Sequence, residues 1–418
     1  MVALLDNARL AWRNLWRNRR RTLLLSSAVA FALILVVFSR ALQFGSHDQM
    51  RESATSLLTG QMQIQQRDYQ DDPKPRLTVP NADTLLAQLR SREDVVAVSP
   101  RLVVFTLVSY SERSFAAQVI GTDIDQEMQV TRILKMAQPP VTGWAAEAGT
   151  ASPDAVPLVV GTTLAKNLGA GIGSELVLLG TGRDGGVAVL VGNIASLISS
   201  GLPDLDRAFV MAPIEAVRSA FDYGDEAHQL ALRAIDLPQS VALAQELNQE
   251  LPERIRALSW SELLPDLKQA IDIDRLSALF FYYLLLGIVA FSVLNAFVMI
   301  FFERTREFGL LSALGMKRGS IQALLHWEAF FLWALGTVIG MAILLPLLWW
   351  LQRNGLYLGE QMEAYAATFY MPARIYPTMA PELLANPPIL LLVGCQLAVL
   401  IAAFRIWRLR PVDALRAT

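Results

Sequence analysis

Residues 276–302 read LSALFFYYLLLGIVAFSVLNAFVMIFF, a run of 27 positions without one side chain charged at neutral pH. About 20 apolar residues in a helix cross the roughly 30 Å hydrocarbon layer of a bilayer, so this run can span one by itself. Working outward, three further apolar segments emerge: 22–44, 322–352 with its most apolar part from Ala329 to Gln352, and 383–404, whose start the Pro387-Pro388 pair marks. The expected fold is an α-helical membrane protein with four transmembrane helices, in which a large α+β extracytoplasmic domain, residues 45–275, is inserted between the first and second.

Composition points the same way, because 53% hydrophobic and 18% charged residues are too apolar a mixture for an ordinary soluble enzyme. A formal net charge of −2 argues against nucleic acid as a partner, since binding phosphates needs a basic excess on one face. The single cysteine, Cys395, lies in the last apolar run, which excludes a disulfide framework and a thiolate metal cluster within the chain.

Lys and Arg set the orientation. Arg9, Arg13, Arg17, Arg19, Arg20 and Arg21 precede the first crossing, Arg304, Arg306, Lys317 and Arg318 lie between the second and third, and Arg405, Arg408, Arg410 and Arg416 follow the fourth. All three groups are expected in the cytoplasm, with both termini inside and the loop 353–382 outside. A cleaved signal peptide is the competing reading of the first 45 residues; against it, the apolar run is longer than such a peptide needs, and Ser46 onward continues as a polar helix. Within residues 1–21, Leu5, Ala8, Trp12, Leu15 and Trp16 recur at helical spacing while Arg9, Arg13 and Arg17 take other faces. That is the pattern of a helix lying in the membrane surface, and a basic tail attracting anionic lipid fits equally.

In the external segment, 45–120 and 225–270 read as a membrane-proximal α+β part and 121–224 as a β-rich insertion. Strands are expected at Gln61–Gln65, with Met62 and Ile64 on one face, at Val95–Tyr110 and at Phe115, Ala117 and Val119; Ala82–Arg92 reads as a helix. Farther on come strands Pro157–Val160, Glu175–Leu179, Val187–Ile194, Gln229–Ala234 and Ile255–Leu258, and helices Thr162–Leu168 and Ser240–Leu251. Gly169, Gly171, Gly173, Gly180, Gly182, Gly185 and Gly186 punctuate the middle as turns, and Gln138–Pro157 reads as a surface loop.

Enzyme motifs are missing. Gly169, Gly171 and Gly173 lack the spacing and the preceding strand of a dinucleotide fingerprint, no G-x-x-x-x-G-K-[ST] phosphate cradle occurs, and His47, His228 and His326 are scattered. The most specific local signal is the loop 303–321, ERTREFGLLSALGMKRGSI. Phe308, Leu311, Ala313, Leu314 and Met316 are too apolar for a hydrated connector; a membrane-surface helix and a helix docking into a partner groove fit these residues equally.

That segment resembles the cytoplasmic coupling segment of FtsX-like and MacB-type permeases, the membrane subunits of ABC transporters that work by mechanotransmission. The resemblance is closest to lipoprotein-releasing, Lol-type subunits. Ala11-Trp12-Arg13-Asn14-Leu15, Gly60-Gln61-Met62-Gln63-Ile64, Gly161 to Gly169 (GTTLAKNLG), Ser200 to Asp206 (SGLPDLD), Glu328 and Pro411 to Arg416 (PVDALR) are similar to further family segments. The resemblance implies a non-catalytic chain of the bacterial inner membrane with no cofactor of its own. ATP and Mg would be bound by a cytoplasmic ATPase dimer docked on Glu303, Arg304, Arg306, Glu307, Phe308, Gly309, Leu311, Leu314, Gly315, Met316 and Lys317. It also implies a second permease subunit, identical or related, and extraction of a lipoprotein or similar lipophilic cargo toward a periplasmic carrier. Phe280, Phe281, Tyr282 and Tyr283 would face lipid or cargo, although an interfacial aromatic belt explains them equally. MacB-like efflux of drugs or peptides and FtsX-like activation of a cell-wall hydrolase are the alternatives.

Overall fold

A computed structural model describes residues 2–141, 143–144, 155–314, 316–357, 359 and 374–404; Gly315, the Pro411 to Arg416 segment and the basic tail from Arg405 lie outside the described residues. The chain divides into an apolar unit within Met1–Asp48, Ile271–Leu358 and Arg374–Thr418, and a second unit within Gln49–Ala270. It opens with helices α1 (Val2–Arg17) and α2 (Arg19–Ala54), and α2 closes in a π-helical turn at Thr55–Thr59.

The second unit is built on one ten-stranded sheet. Its first part contains β1 (Met62–Gln66), the short β2 (Val79–Pro80), α3 (Ala82–Arg90), the long β3 (Val95–Tyr110), β4 (Arg113–Thr122) and α4 (Ile124–Val130). A middle part follows with β5 (Ala137–Gln138), β6 (Val156–Gly161), α5 (Thr162–Leu168), β7 (Glu175–Thr181), β8 (Val187–Ile198), α6 (Pro203–Ala208), β9 (Phe209–Pro213) and α7 (Ile214–Phe221). The return comprises β10 (Glu226–Ala227), β11 (Gln229–Ala234), α8 (Leu237–Glu250), β12 (Ile255–Ser259) and α9 (Trp260–Leu263). The order β12-β1-β11-β3 is that of a split β-α-β fold, with α3 and α8 packing Leu86, Leu89, Leu243 and Leu247 onto Met62, Ile64, Leu230 and Leu232.

The middle strands close a ring instead of extending the sheet. β3 pairs β4, β4 pairs β9, β9 pairs β6, β6 pairs β8, β8 pairs β7, and β7 returns to β3. This six-stranded barrel is filled by alternate residues, among them Leu102, Val104, Val119, Leu158, Val160, Leu178, Leu190 and Val210, as the two-residue period of strands requires. β3 is long enough to serve both parts, and the joint carries a buried ion pair. Arg101 donates to Glu127 at 2.6 Å and 3.0 Å, and Ser99 and Thr131 donate to the same carboxylate. Burial raises the proton affinity of Glu127, but Arg101 outweighs it and holds the carboxyl below its usual range.

Two motif segments singled out in the sequence meet here. A Cβ on Gly161 would lie 2.2 Å from the Asp206 carbonyl oxygen, so only glycine lets α6 pass over the start of α5. Asp206 in turn accepts from the amide and hydroxyl of Ser200 at 2.9 Å and 2.6 Å.

The apolar unit contains α10 (Pro265–Glu303), α11 (Thr305–Ala313), α12 (Arg318–Asn354), the hairpin β13 (Leu356–Tyr357) and β14 (Arg374–Ile375), and α13 (Pro381–Phe404). Among the described residues four helices are long and apolar enough to cross a membrane. They exceed the apolar segments read from the sequence: α2 continues to Ala54 and α10 begins at Pro265, because a helix once formed propagates at the cost of one residue per bond and no proline interrupts residues 45–54 or 266–275. Pro387 and Pro388 sit inside α13 instead of opening it, and the Pro388 carbonyl accepts from Trp333 Nε1 at 2.8 Å. The crossings pack through Val29, Leu33, Val37, Val293, Phe297, Leu325, Leu332, Leu344 and Val399. Where α2 meets α12, a Cβ on Gly336 would lie 2.7 Å from the Ser26 carbonyl oxygen, the close backbone approach that small residues permit in membrane bundles.

Candidate functional site: the coupling segment and its charge cluster

The 303–321 segment is a short helix set between two crossings. α10 ends at Glu303, a one-residue break falls at Arg304, across which the Arg304 amide still bonds Ile300 and the Phe308 amide bonds Arg304, α11 follows, and α12 starts at Arg318. At a helical spacing of 100° per residue, Phe308 falls opposite Arg306, Leu310 and Ala313. The structure buries Phe308 to 3% exposure in the bundle core, with Leu311 and Met316 packed beside it, while Leu310 is 56% and Leu314 78% exposed. The apolar residues expected as one docking surface therefore divide. Phe308, Leu311 and Met316 hold the segment onto the bundle; Leu310, Ala313 and Leu314, with Arg306 and Lys317, face outward.

A charge cluster sits beneath this segment. Glu328, 4% exposed, accepts from Arg304 Nη1 at 3.0 Å and from Asn14 Nδ2 at 2.9 Å. Arg304 also donates to Glu307 at 2.7 Å, and Glu307 accepts from Arg17 at 2.8 Å. Arg21 donates to Glu303 at 2.8 Å. Burial of Glu307 opposes its ionisation, yet Arg304 and Arg17 hold its carboxyl below the usual range. One network of alternating charge thus links α1, α11 and α12 at one end of the bundle, and the separate Arg21–Glu303 pair ties α2 to the end of α10. A void of about 20 Å³ among Asn14, Arg17, Arg21, Arg304 and Glu328 has room for about one water.

The sequence marks Arg304, Glu307 and Glu328, places Arg17 on a polar face of a surface helix, has Asn14 within a family segment and counts Arg21 among the basic residues before the first crossing, but does not show that they meet. The signal was present: an ionisable residue in an apolar crossing needs an oppositely charged or polar partner, and Asn14, Arg17 and Arg21 recur at helical spacing.

Phe280, Phe281 and Tyr283 point outward from α10 at 58–66% exposure. Tyr282 turns inward, with the Arg40 guanidinium 5.5 Å from its ring centre, so the four do not form one face. The histidines are dispersed: His47 pairs with Asp274, His228 is buried in the sheet unit, and His326 bonds Gln396. Among the described residues no group of His, Cys, Asp and Glu is placed to hold a metal ion.

Residues 22–250 match the MacB-like periplasmic core domain, and residues 279–411 match the FtsX-like permease C-terminal domain. The chain belongs to the FtsX/MacB family of ABC transporter permeases. This permease is 20% identical over 190 residues to the lipoprotein-releasing system transmembrane protein LolC of Neisseria meningitidis serogroup B (strain ATCC BAA-335 / MC58), an alignment covering 44% of this chain and 46% of that protein. The permease thus spans about half the length of this curated relative. Among solved structures it is similar to the extracellular domain of the ABC-type transporter YknZ from Gram-positive bacteria (12% identity, 47% of this chain and 99% of that one, TM-score 0.32). The periplasmic region of MacB from Actinobacillus actinomycetemcomitans is another (13% identity, 52% and 94%, TM-score 0.32).

Proposed function

We propose that this permease is a non-catalytic subunit of a bacterial inner-membrane transporter. It receives force from a separate cytoplasmic ABC ATPase at α11 and passes it along α2 and α10 to the domain inserted between them. The observation that carries this reading is the Arg304 cluster. A push on α11 is not absorbed locally, because Arg304 ties the start of α11 to α12 through Glu328 and to α1 through Glu307 and Arg17. Breaking the buried Arg304–Glu328 pair from one side costs about 3–5 kcal/mol, so α11 and α12 move together, and the half-exposed Arg17–Glu307 pair adds a weaker tie to α1. ATP and Mg belong to the partner, which engages the outward residues Arg306, Leu310, Ala313 and Leu314. A second permease subunit completes the assembly, with both termini in the cytoplasm and the inserted domain in the periplasm.

For cargo, we infer a lipid-anchored protein or a similarly lipophilic molecule passed to a periplasmic carrier. The likeness to a lipoprotein-releasing subunit and the outward aromatic residues of α10 support this. The test uses the transporter purified with its ATPase. Glu328→Ala is expected to leave ATP hydrolysis within about twofold and to stop lipoprotein release; loss of both in parallel, or of neither, would overturn the coupling role. Photo-crosslinkers at Phe281 and Tyr283 are expected to capture a lipoprotein in cells, and capture of bulk lipid alone would remove the cargo assignment.

A further inference from the structure

Helix α10 has a bundle face and an open face. Val289, Val293, Phe297 and Ile300 are buried in the core of the apolar unit. At 100° per residue, Leu284, Ile288, Phe291, Asn295 and Met299 fall on the opposite side of the helix, and all of them are exposed. Lipid tails accept the four apolar side chains of that stripe without cost. Asn295 is different, because its carboxamide carries two N–H donors and an acceptor and bonds to no described residue. It lies eight residues before Glu303, about 12 Å along the helix, too deep for so short a side chain to reach the interface.

Other polar side chains of the crossings find partners within the bundle. Ser277 and Ser292 donate to the Ile273 and Ile288 carbonyls of their own helix at 2.9 Å. The carboxamide of Gln396 in α13 accepts from His326 Nδ1 at 2.6 Å and donates to the His326 carbonyl at 3.3 Å. Asn295 uses neither route, and hydrocarbon offers it neither donor nor acceptor. Whatever covers this face therefore has to bring a donor and an acceptor to one point. A second copy of the chain does so by symmetry alone: a two-fold axis along the membrane normal, passing beside Asn295, sets each carboxamide against its counterpart, and each N–H donates to the other's carbonyl.

We propose that this stripe is the self-association face of the permease. Two copies meet along the half of α10 nearer Glu303, through Ile288, Phe291 and Met299, with the Asn295 carboxamides hydrogen-bonded to each other across the axis. One polar residue in an apolar seam fixes the register of the two helices. The inference rests on the reading above only in calling for a second permease subunit, and it makes that subunit identical. Phe281 lies 14 residues before Asn295, about 21 Å along the helix, so the contact leaves the aromatic end of α10 open to cargo.

The test uses the full chain, with the buried Cys395 replaced by alanine, reconstituted in liposomes. Ile288→Cys and Met299→Cys, on the proposed face, should give disulfide-linked dimers under copper phenanthroline, whereas Val338→Cys, at a position 66% exposed on α12, should not. The dimer fraction on dilution into lipid, counted by single-molecule photobleaching, should fall for Asn295→Leu, with a dissociation constant raised about tenfold, the worth of two interhelical hydrogen bonds. Asn295→Gln keeps the carboxamide and should stay near the native value. Chains that remain single at every dilution would show a face that meets lipid or a different subunit, and would overturn the assignment. Crosslinking at Val338 equal to that at Met299, or a dimer indifferent to Asn295→Leu, would overturn it equally. These measurements need no ATPase, so a failure here is distinct from a failure of coupling in Glu328→Ala.

Discussion

At the residue scale, the two buried ion pairs make the sharpest predictions. Glu127→Ala leaves the Arg101 guanidinium, 1% exposed, without its carboxylate, and should destabilise the sheet unit by about 3–5 kcal/mol in denaturant unfolding. Replacing Arg101 and Glu127 together should cost clearly less than the two single losses combined, since a double-mutant cycle isolates their coupling. His228 supplies a pH dependence. Burial pushes its imidazole down to about 4 from the ordinary 6.5. The folded state thus binds the proton less well than the unfolded chain, and stability contributed above about pH 6.5 is lost as pH falls toward 4. Unfolding midpoints measured from pH 7.5 to 4 should fall more steeply for the native protein than for His228→Gln; parallel curves would refute this assignment. Neither His228 nor Arg101 stood out in the sequence, where His228 is one of three scattered histidines and Arg101 sits unannounced between Pro100 and Leu102. Their roles depend on strand register, which pairs β3 with β11 across more than a hundred intervening residues.

At the element scale, α11 has two faces with different duties. Leu310→Asp combined with Leu314→Asp places charge on the outward face and should cut ATPase co-purification at least about tenfold without lowering the amount of permease in the membrane. Phe308→Ala empties a core site and should destabilise the bundle by about 3–5 kcal/mol, while folded molecules still bind the ATPase. If the outward pair proves silent and Phe308 alone governs binding, the division is wrong. Gly336→Leu should likewise loosen α2 from α12, at a cost of about 1–3 kcal/mol, seen as a lower melting temperature in detergent. The elements themselves were readable where period and composition agreed. Val95–Tyr110 is a strand over its full length, rich in β-branched and aromatic residues, and Thr162–Leu168 is a helix closed by Gly169 at positive φ. Strand β9 escaped notice because Phe209–Pro213 is short and buried on both faces, giving no alternation. The inward turn of Phe308 was hidden because an apolar residue beside charges looks the same whether its groove belongs to a partner or to its own bundle.

At the scale of the whole molecule, the layout of four apolar runs around one long insertion was legible because it depends on length and charge alone. Barrel closure was not, since it requires β7 to find β3 across the intervening chain and no local pattern encodes a ring. The functional reading asks that a push at one end of the bundle reach a domain carried by α2 and α10, through side chains locked together at Arg304. The most direct test places spin labels at Arg13, exposed on α1, and at exposed Glu175 in the barrel, in a chain whose buried Cys395 is replaced by alanine, assembled with its ATPase in nanodiscs. The distance between the labels should shift on addition of ATP, and the shift should vanish in Glu328→Ala while ATP hydrolysis continues. A distance indifferent to ATP, or one that still shifts in Glu328→Ala, would contradict the account.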